Sequence, residues 1–585
     1  MTTPFNTRRH GDDDSSAISP TVAENTPLLR SESSSVTVRD GSPASYRQPG
    51  PGPEQPALGW KRTTCIVFSM WALIFLQASN MSGISTTQST IAADLDAYES
   101  AMWFTSAYMI SMSSVAPLAG RLAMIFSPAT MVLLASGCFS VGALVTAVAP
   151  TFAVFILGRV MLGVGSGGIM TLCMILVIQL TSKKRRGLWI GLTNAGFTLG
   201  VSAGAVVFGA LLPVLGWRLL FGAQAPMAAL AGLGVSLSIP PFAADENTKD
   251  KTTLQKLAGL DYAGAVSLTV TIVLFLYGLS GTIQPLPIGL SLVTLAIFLA
   301  VESRAKDPVL PLTVLKSRGV LLSCFSQLGF MAARWTVLFY APIFVLAVRG
   351  LSPALAGSIL IPTNAGFGIG GLLVGALHIR HAGSFWFPGL LTLALFSMSL
   401  FVLAFVSNAA TSIGLYVTVV FVNGLCTGAA LNYTLAHLLY LSSPDVHFIV
   451  TGLLSTFRGF AGSFGTAIGG GVFTRTLRDA LVSGFEKLDG GEGLGKAREK
   501  LITVLIGSPA VVWKDGVLSA AERVVAVVGY ERALEVLYKS AAAMCVLVLV
   551  MQAGTGWQAA ETKGDDDRGF EEDVDERAGG RATEA

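Results

Sequence analysis

Charge is what this sequence has least of. Asp, Glu, Lys and Arg make up 13% of its 585 residues, hydrophobic residues make up 52%, and mean hydropathy is +0.63. A soluble domain carries about 25% charge, so this chain cannot cover its surface in water. Hydrophobic cores also stop growing near ~250–300 residues. These two limits exclude a soluble enzyme, a dedicated nucleic-acid binder and a fully disordered chain. The net charge of +3 is too small to imply a polyanionic partner. Cysteine is scarce: Cys65, Cys138, Cys173, Cys324, Cys426 and Cys545 all lie in apolar runs, without a CxxC pair. That excludes a disulfide scaffold and reads as small buried hydrophobes. The five histidines form no cluster. Phosphate loops, zinc-ligand spacings and nucleophile elbows are missing, so neither an enzyme nor a cofactor is expected.

Long apolar runs remain. We place fourteen, at about 63–83, 102–122, 129–149, 152–176, 188–212, 219–240, 262–281, 285–301, 320–346, 354–377, 385–406, 411–440, 449–473 and 539–557. Each approaches the length a helix needs to cross a bilayer, which predicts an all-α polytopic membrane protein. Residues 1–60 are rich in Ser, Pro and Gly and read as a disordered tail without a signal peptide. Residues 558–585 read as a second, acidic tail. The long stretch 474–538 is mixed in charge and reads as a loop with amphipathic helices such as Glu522–Lys539. Lys183, Lys184, Arg185 and Arg186, then Lys249, Lys251 and Lys256, then Arg304, Lys306, Lys316 and Arg318 follow even-numbered runs. The positive-inside rule therefore puts both termini in the cytosol.

A weak repeat relates Ser182 and Gly191-Leu192 to Ser443 and Gly452-Leu453, and Gly120 and Leu122 to Gly375 and Leu377. It divides the chain into a six-helix bundle at 61–240, two inserted helices at 241–318 and a second six-helix bundle at 319–557. Parallel halves with a site between them at mid-membrane are a transporter architecture.

Three arginines sit deep in the apolar runs: Arg159, Arg334 and Arg458. A cation at the bilayer centre costs ~2.5–3.5 kcal/mol, so these residues either pack against carbonyls or border an aqueous pathway. Asn80, Asn194, Asn364, Asn432 and Tyr340 are further pathway candidates. So are Gln77, Gln88, Gln327, Asn423, Tyr108, Trp335 and Tyr433, although interhelical hydrogen bonding explains Asn and Gln equally well. His437 reads as an interfacial histidine. Glycines recur every turn beside them: Gly163 and Gly167 after Arg159, then Gly196, Gly200 and Gly204, then Gly462, Gly465 and Gly469. Such spacing lets helices approach closely. Gly163, Gly196, Gly200, Gly204 and Gly462 are candidate gating positions.

Several motifs carry a family resemblance. Leu157-Gly158-Arg159 with Gly163 and Gly165 resembles the arginine motif of the major facilitator superfamily. Gly196 through Gly204 is similar to the antiporter signature of its drug exporters. Trp217-Arg218 with Phe221, Gln224 and Pro226 resembles the fourteen-helix drug:proton antiporters, as do Asp94-Leu95, Trp103, Ala107-Tyr108, Asp261, Gly264, Pro308 and Leu310-Pro311. The resemblance covers most of 60–557 and implies export of a small amphipathic organic compound by alternating access. Departures bear on coupling. Asn80 stands where the family has an acid, Ser89 where it has a proline, and Gly120–Ala129 lacks the family's acid and basic end. Val201 and Ala205 replace a proline and a glycine. A proton carrier needs a group that titrates in the membrane, and no run has an Asp or Glu at its middle. Coupling through Asp94 and a uniport mode both stay open.

Glu24 with Leu28-Leu29 fits the dileucine pattern read by vesicle adaptors. It resembles tails of fungal vacuolar transporters, which keeps a vacuolar amino-acid transporter as the alternative. A membrane sensor without transport is the alternative of another class. The expected partners are a small organic substrate, protons where coupled, the lipid bilayer and the adaptor; a monomer is expected, with no nucleic acid.

Overall fold

A computed structural model describes residues 60–180, 186–239, 261–279, 283–305, 316–375, 385–442, 447–490 and 495–556. Among the described residues the regular elements are all helical. They are α1 (Trp60–Asp94), α2 (Trp103–Ile125), α3 (Pro128–Ala147), α4 (Phe152–Leu180), α5 (Arg186–Gly222), α6 (Gln224–Ser238), α7 (Tyr262–Leu279) and α8 (Pro285–Glu302). There follow α9 (Arg318–Ile343), α10 (Pro353–Ser358), α11 (Leu360–Leu373), α12 (Trp386–Val406), α13 (Ile413–Leu441), α14 (His447–Leu488), α15 (Lys496–Gly507) and α16 (Ala520–Ala553).

Local chemistry sets several boundaries. Ser127 caps α3 by accepting from Thr130 N at 3.2 Å, with Pro128 in the first turn. Ser352 and Ser412 cap α10 and α13 the same way. Pro342 precedes a π turn at Phe344–Val348. Pro213 lies inside α5, and at Gly216 (φ 68°, ψ 162°) the backbone leaves the helical region, so α5 is two helices on either side of a kink that sits close to the expected stop near 212.

Helix occupies part of every expected run. Among the described residues, eleven helices are long and apolar enough to cross a membrane. The expected run at 102–122 falls on α2, part of whose side chains lie outside the described residues. The expected runs at 219–240 and 449–473 fall on α6 and α14, which are not among those eleven: α14 is rich in Gly, Ser and Thr, and α6, counted from Gln224, has 15 residues. The stretch 474–538 is mostly helical: α14 continues to Leu488, and Glu522–Lys539 is the first half of α16. A Ser519–Glu522 capping box starts that 34-residue helix.

Two sets of helices pack within themselves. In the first half α1 lies on α5 and α6, α3 on α4 and α6, and α2 on α4. In the second, α9 lies on α14 and α16, α11 on α13, and α12 on α13 and α16. α7 and α8 pair with each other and reach α2 and α14 through α7. The most apolar window of α8 is only 17% buried, whereas that of α9 is wholly buried, so α8 is peripheral and α9 central. The seam between the halves is α5 on α10 and α11, α2 on α14, and α1 on α9. We call the end where α1 starts the near end, and the end where it finishes the far end. Cys173, Cys324, Cys426 and Cys545 are buried, whereas Cys65 is exposed and Cys138 half-buried; all are free thiols.

Candidate functional site

Arg159 is wholly buried inside the first half. Its Nε donates to the Phe104 carbonyl at 2.7 Å and its Nη1 to Asn80 Oδ1 at 2.5 Å. Asn80 in turn donates to Gln224 Oε1 at 2.7 Å. The Tyr108 ring lies 4.6 Å from the guanidinium, and Tyr108 donates its hydroxyl proton to Ser166 at 2.7 Å. Helices α1, α2, α4 and α6 thus converge on one cation through neutral groups. Asn80 gives the arginine an acceptor without a second charge. The Nη2 atom is buried without a partner.

Arg334 is also buried, but at the seam. Its Nη2 donates to Asn364 Oδ1 at 2.8 Å, and its guanidinium lies 4.3 Å from the Phe367 ring. Asn364 donates to Ser202 Oγ on α5 at 2.9 Å, and Ser202 donates to the Leu360 carbonyl at 3.3 Å. One hydrogen-bonded chain therefore runs from α9 through α11 into the first half. A second tie joins the hydroxyls of Ser113 on α2 and Ser463 on α14 at 2.7 Å, and Ser463 also donates to the Met109 carbonyl at 2.8 Å. Between them Phe197 meets Trp335 edge-on, with centroids 6.3 Å apart.

The other candidates scatter. Tyr340 packs its ring 4.7 Å from Phe473 near the far end. Asn432 donates to the Gly371 and Gly428 carbonyls at 3.3 and 3.1 Å, tying α11 to α13 within the second half. Arg458 is half-buried on α14 and makes no hydrogen bond, ion pair or ring contact among the described residues. His437 is buried rather than interfacial, with Nε2 3.0 Å from Thr555 Oγ1. The Asn194 side chain and the Glu24, Leu28 and Leu29 motif lie outside the described residues.

The glycine stripes divide. A Cβ on Gly163 would meet the Tyr108 carbonyl oxygen at 2.4 Å, so this glycine seats α4 on α2. Gly196, Gly200 and Gly204 seat α5 on Trp71, Phe75 and Ser79 of α1. Gly462 instead faces Met109 and Trp335 at the seam. Two glycines that carry no stripe make the tightest cross-seam contacts. A Cβ on Gly209 would lie 2.4 Å from the Pro353 carbonyl oxygen, and one on Gly357 would lie 2.4 Å from that of Ala205.

At the far end the segment after α14 folds over the seam. Ala510 N donates to Ser89 Oγ at 3.3 Å in the first half, and Trp513 Nε1 donates to the Ala347 carbonyl at 2.9 Å in the second. Gly507 lies directly on Tyr98. Beneath this cap sits a cavity of about 50 Å³ lined by Gln88, Glu99, Thr105, Tyr340, Thr466 and others. Arg498 bonds Asp489 twice at 2.9 Å and also bonds Glu522, fixing the cap to α14 and α16. Asp489 first, then Glu522, raises the Arg498 pKa above its ordinary value.

Sequence reasoning missed Gln224, Ser202, Gly209 and Gly357 as structural partners. Only Gln224 carried a signal, through its place in the Trp217–Pro226 motif. Among the described residues no group of His, Cys, Asp and Glu could hold a metal ion.

Known proteins resemble this arrangement along most of its length. The profile described as Major Facilitator Superfamily matches residues 70–466. The chain is 27% identical over 461 residues to the "Acurin A biosynthesis cluster MFS-type transporter" of Aspergillus aculeatus, covering 75% of this chain and 81% of that one. It is 26% identical over 466 residues to "Efflux pump FUS6" of Gibberella fujikuroi, covering 76% and 81%. A bacterial homologue of the human lysosomal transporter Spinster, solved in an inward-facing, unoccupied conformation, superposes with a TM-score of 0.59 at 15% identity, over 86% of this chain and 99% of that one. That likeness concerns the fold. The arginine-bearing α4, the central α9 and the matched profile agree: this chain is a membrane transporter, not an enzyme, and belongs to the major facilitator superfamily.

Proposed function

We propose that this chain exports small amphipathic organic compounds by alternating access, with the near end facing the cytosol. The observation that carries this reading is the distribution of ties across the seam. Ser113, Ser202 and Ser463 join the halves at mid-height, and Ser89 and Gly507 do so at the far end. Toward the near end, Gly452 and Gly459 on α14, Gly368 on α11 and Gly375 just after it have no atom within 4 Å of a Cβ position, and no hydrogen bond joins the halves there among the described residues. Halves tied at mid-height and at the far end suit rocking about a central site. Relatives named as efflux pumps support the direction.

Asp94 is the acid nearest the bundle. It is tied to Arg218 and accepts from Trp217 Nε1 at 3.1 Å, with its side chain 44% exposed. That geometry suits a structural pair at the rim better than a proton carrier in the pathway.

Expression of the full chain in cells, loaded with fluorescent amphiphiles of anionic, neutral and cationic type, tests the reading. At least one dye should be retained severalfold less than in cells with an empty vector. Imaging a tagged chain assigns the loss to the plasma membrane or to vacuolar storage. Equal retention of every dye, with the protein inserted, would overturn export.

A further inference from the structure

Outside the peripheral α7–α8 pair, where Glu302 is buried, the apolar stretches of this transporter hold cations without carboxylates. No Asp or Glu occurs from Ser100 to Ala244, from Pro308 to Pro444, or from Val446 to Arg478. Helices α2–α6 and α9–α13 therefore carry none, and neither does α14 before its far end. The same stretches hold Arg159, Arg334 and Arg458. An arginine stays charged in proteins, and a charge kept from water needs a partner. Arg159 and Arg334 have neutral oxygens and ring faces. Among the described residues Arg458 has none of these, and its half-buried side chain leaves its five N–H donors open to water or a ligand.

Its position leads to the seam. Arg458 lies eleven residues into α14, about 16 Å along the helix. It stands one turn before Gly462, on the same helix face. A Cβ at Gly462 would lie 3.1 Å from Met109 Sδ on α2 and 3.4 Å from Trp335 Nε1 on α9. Trp335 in turn faces Phe197 of α5 across the halves. The adjacent Gly459 has no atom within 4 Å of its Cβ position. Gln327 on α9 is buried with its Oε1 unpaired. It lies near this level, because Phe325 on the same helix packs edge-on against Phe457 at 5.4 Å.

We propose that Arg458 docks the anionic group of the cargo, and that the cargo is an amphipathic organic acid whose apolar body rests on Trp335 and Phe197. This rests on the export reading only in that the chain carries an organic cargo. A carboxylate meets the guanidinium fork with two parallel hydrogen bonds and supplies the countercharge that the helices lack. A cationic cargo would instead enter a site already positive.

The test uses the full chain in lipid nanodiscs with three matched probes: 1-naphthaleneacetate, its amide and 1-naphthylmethylamine. Thermal shift reads binding. The acid should bind at least about tenfold more tightly than the amide or the amine, as a charge-assisted pair allows. Arg458→Gln should weaken the acid about tenfold and leave the amide unchanged, with the probe-free midpoint as the control for folding. Arg458→Lys, which keeps the charge without the fork, should keep part of the preference and serves if the Gln variant does not fold. Binding of the amine as tight as the acid, an acid preference unchanged in Arg458→Gln, or no acid-selective shift would each overturn the docking role. Cells that still export a neutral or cationic dye would then keep the export reading while rejecting this one.

Discussion

Arg159 and Arg334 meet the same physical problem in different places. Each is a buried guanidinium held by an asparagine oxygen, at 2.5 Å from Asn80 and 2.8 Å from Asn364. Around Arg159 the partners all come from the first half: Phe104, Asn80 and, beyond it, Gln224. Beyond Arg334 the chain of bonds leaves its own half and ends on Ser202 of α5. A bond inside one rigid body is present in every state of a rocking transporter. A bond between two bodies exists only while they are close, so it biases the balance between states. In the proposed rocking cycle the first arginine would be scaffold and the second part of a latch.

The sharpest break in that comparison is Arg159→Met. It strands the Phe104 carbonyl and the Asn80 oxygen in the bundle core, and should cost about 3 kcal/mol of stability. Detergent-solubilised protein should melt earlier whether or not cargo is present, and flux should fall because less folded transporter remains. Wild-type melting with flux alone abolished would place Arg159 in the transport step and end its role as scaffold.

Ser202→Ala should act differently. The substitution removes the cross-seam acceptor of Asn364 and leaves the Arg334–Asn364 bond in place. Loss of the cross-seam tie is worth about 1 kcal/mol, or roughly fivefold in a two-state balance. Spin labels at the near-end positions Lys61 and Lys316 would report it as a change in the populations of two distances, with little change in melting. An unaltered distance distribution would show that the tie does not set the balance.

These pairings explain what was legible in the sequence and what was not. Charged residues in apolar runs are visible by inspection, so all three arginines were found. Their partners were not paired with them, because Asn80 is 79 residues from Arg159, and Ser202 is 162 from Asn364. Glycine stripes were visible for the same reason as helical periodicity. The α4 and α5 stripes nevertheless seat helices within one half, while the seam is approached at Gly209 and Gly357, which have no periodic signature. In the 474–538 stretch charge suggested a loop, yet the helix-starting Ser519 and Glu522 were there to be read. The overall helical arrangement was legible because bilayer thickness fixes the length of an apolar helix. The number of crossings was less so: α14 lies against α2, α9 and α16 and need not be as apolar as a lipid-facing helix, and the kink at Gly216 divides the chain before α6.

The weakest expected effect sharpens the contrast from outside the membrane. Arg498 resembles Arg159 in joining three helical segments, but its partners are the carboxylates of Asp489 and Glu522, and its side chain is 25% exposed. Both partners raise its pKa, so the guanidinium keeps its charge across the working pH range and pH should not release the cap. Water screens the pairs, and Arg498→Gln should cost only about 0.5–1 kcal/mol. Salt distinguishes the two cases, since the Debye length falls to about 3 Å at 1 M. Raising salt should erode wild-type melting by the same small amount as the substitution and leave Arg498→Gln unmoved, whereas the loss caused by Arg159→Met should be the same at low and high salt. A much larger loss in Arg498→Gln that salt does not reproduce would mean that the far-end cap is held by packing through its arginine stem, as on the Phe485 ring 5.1 Å away, and not by charge.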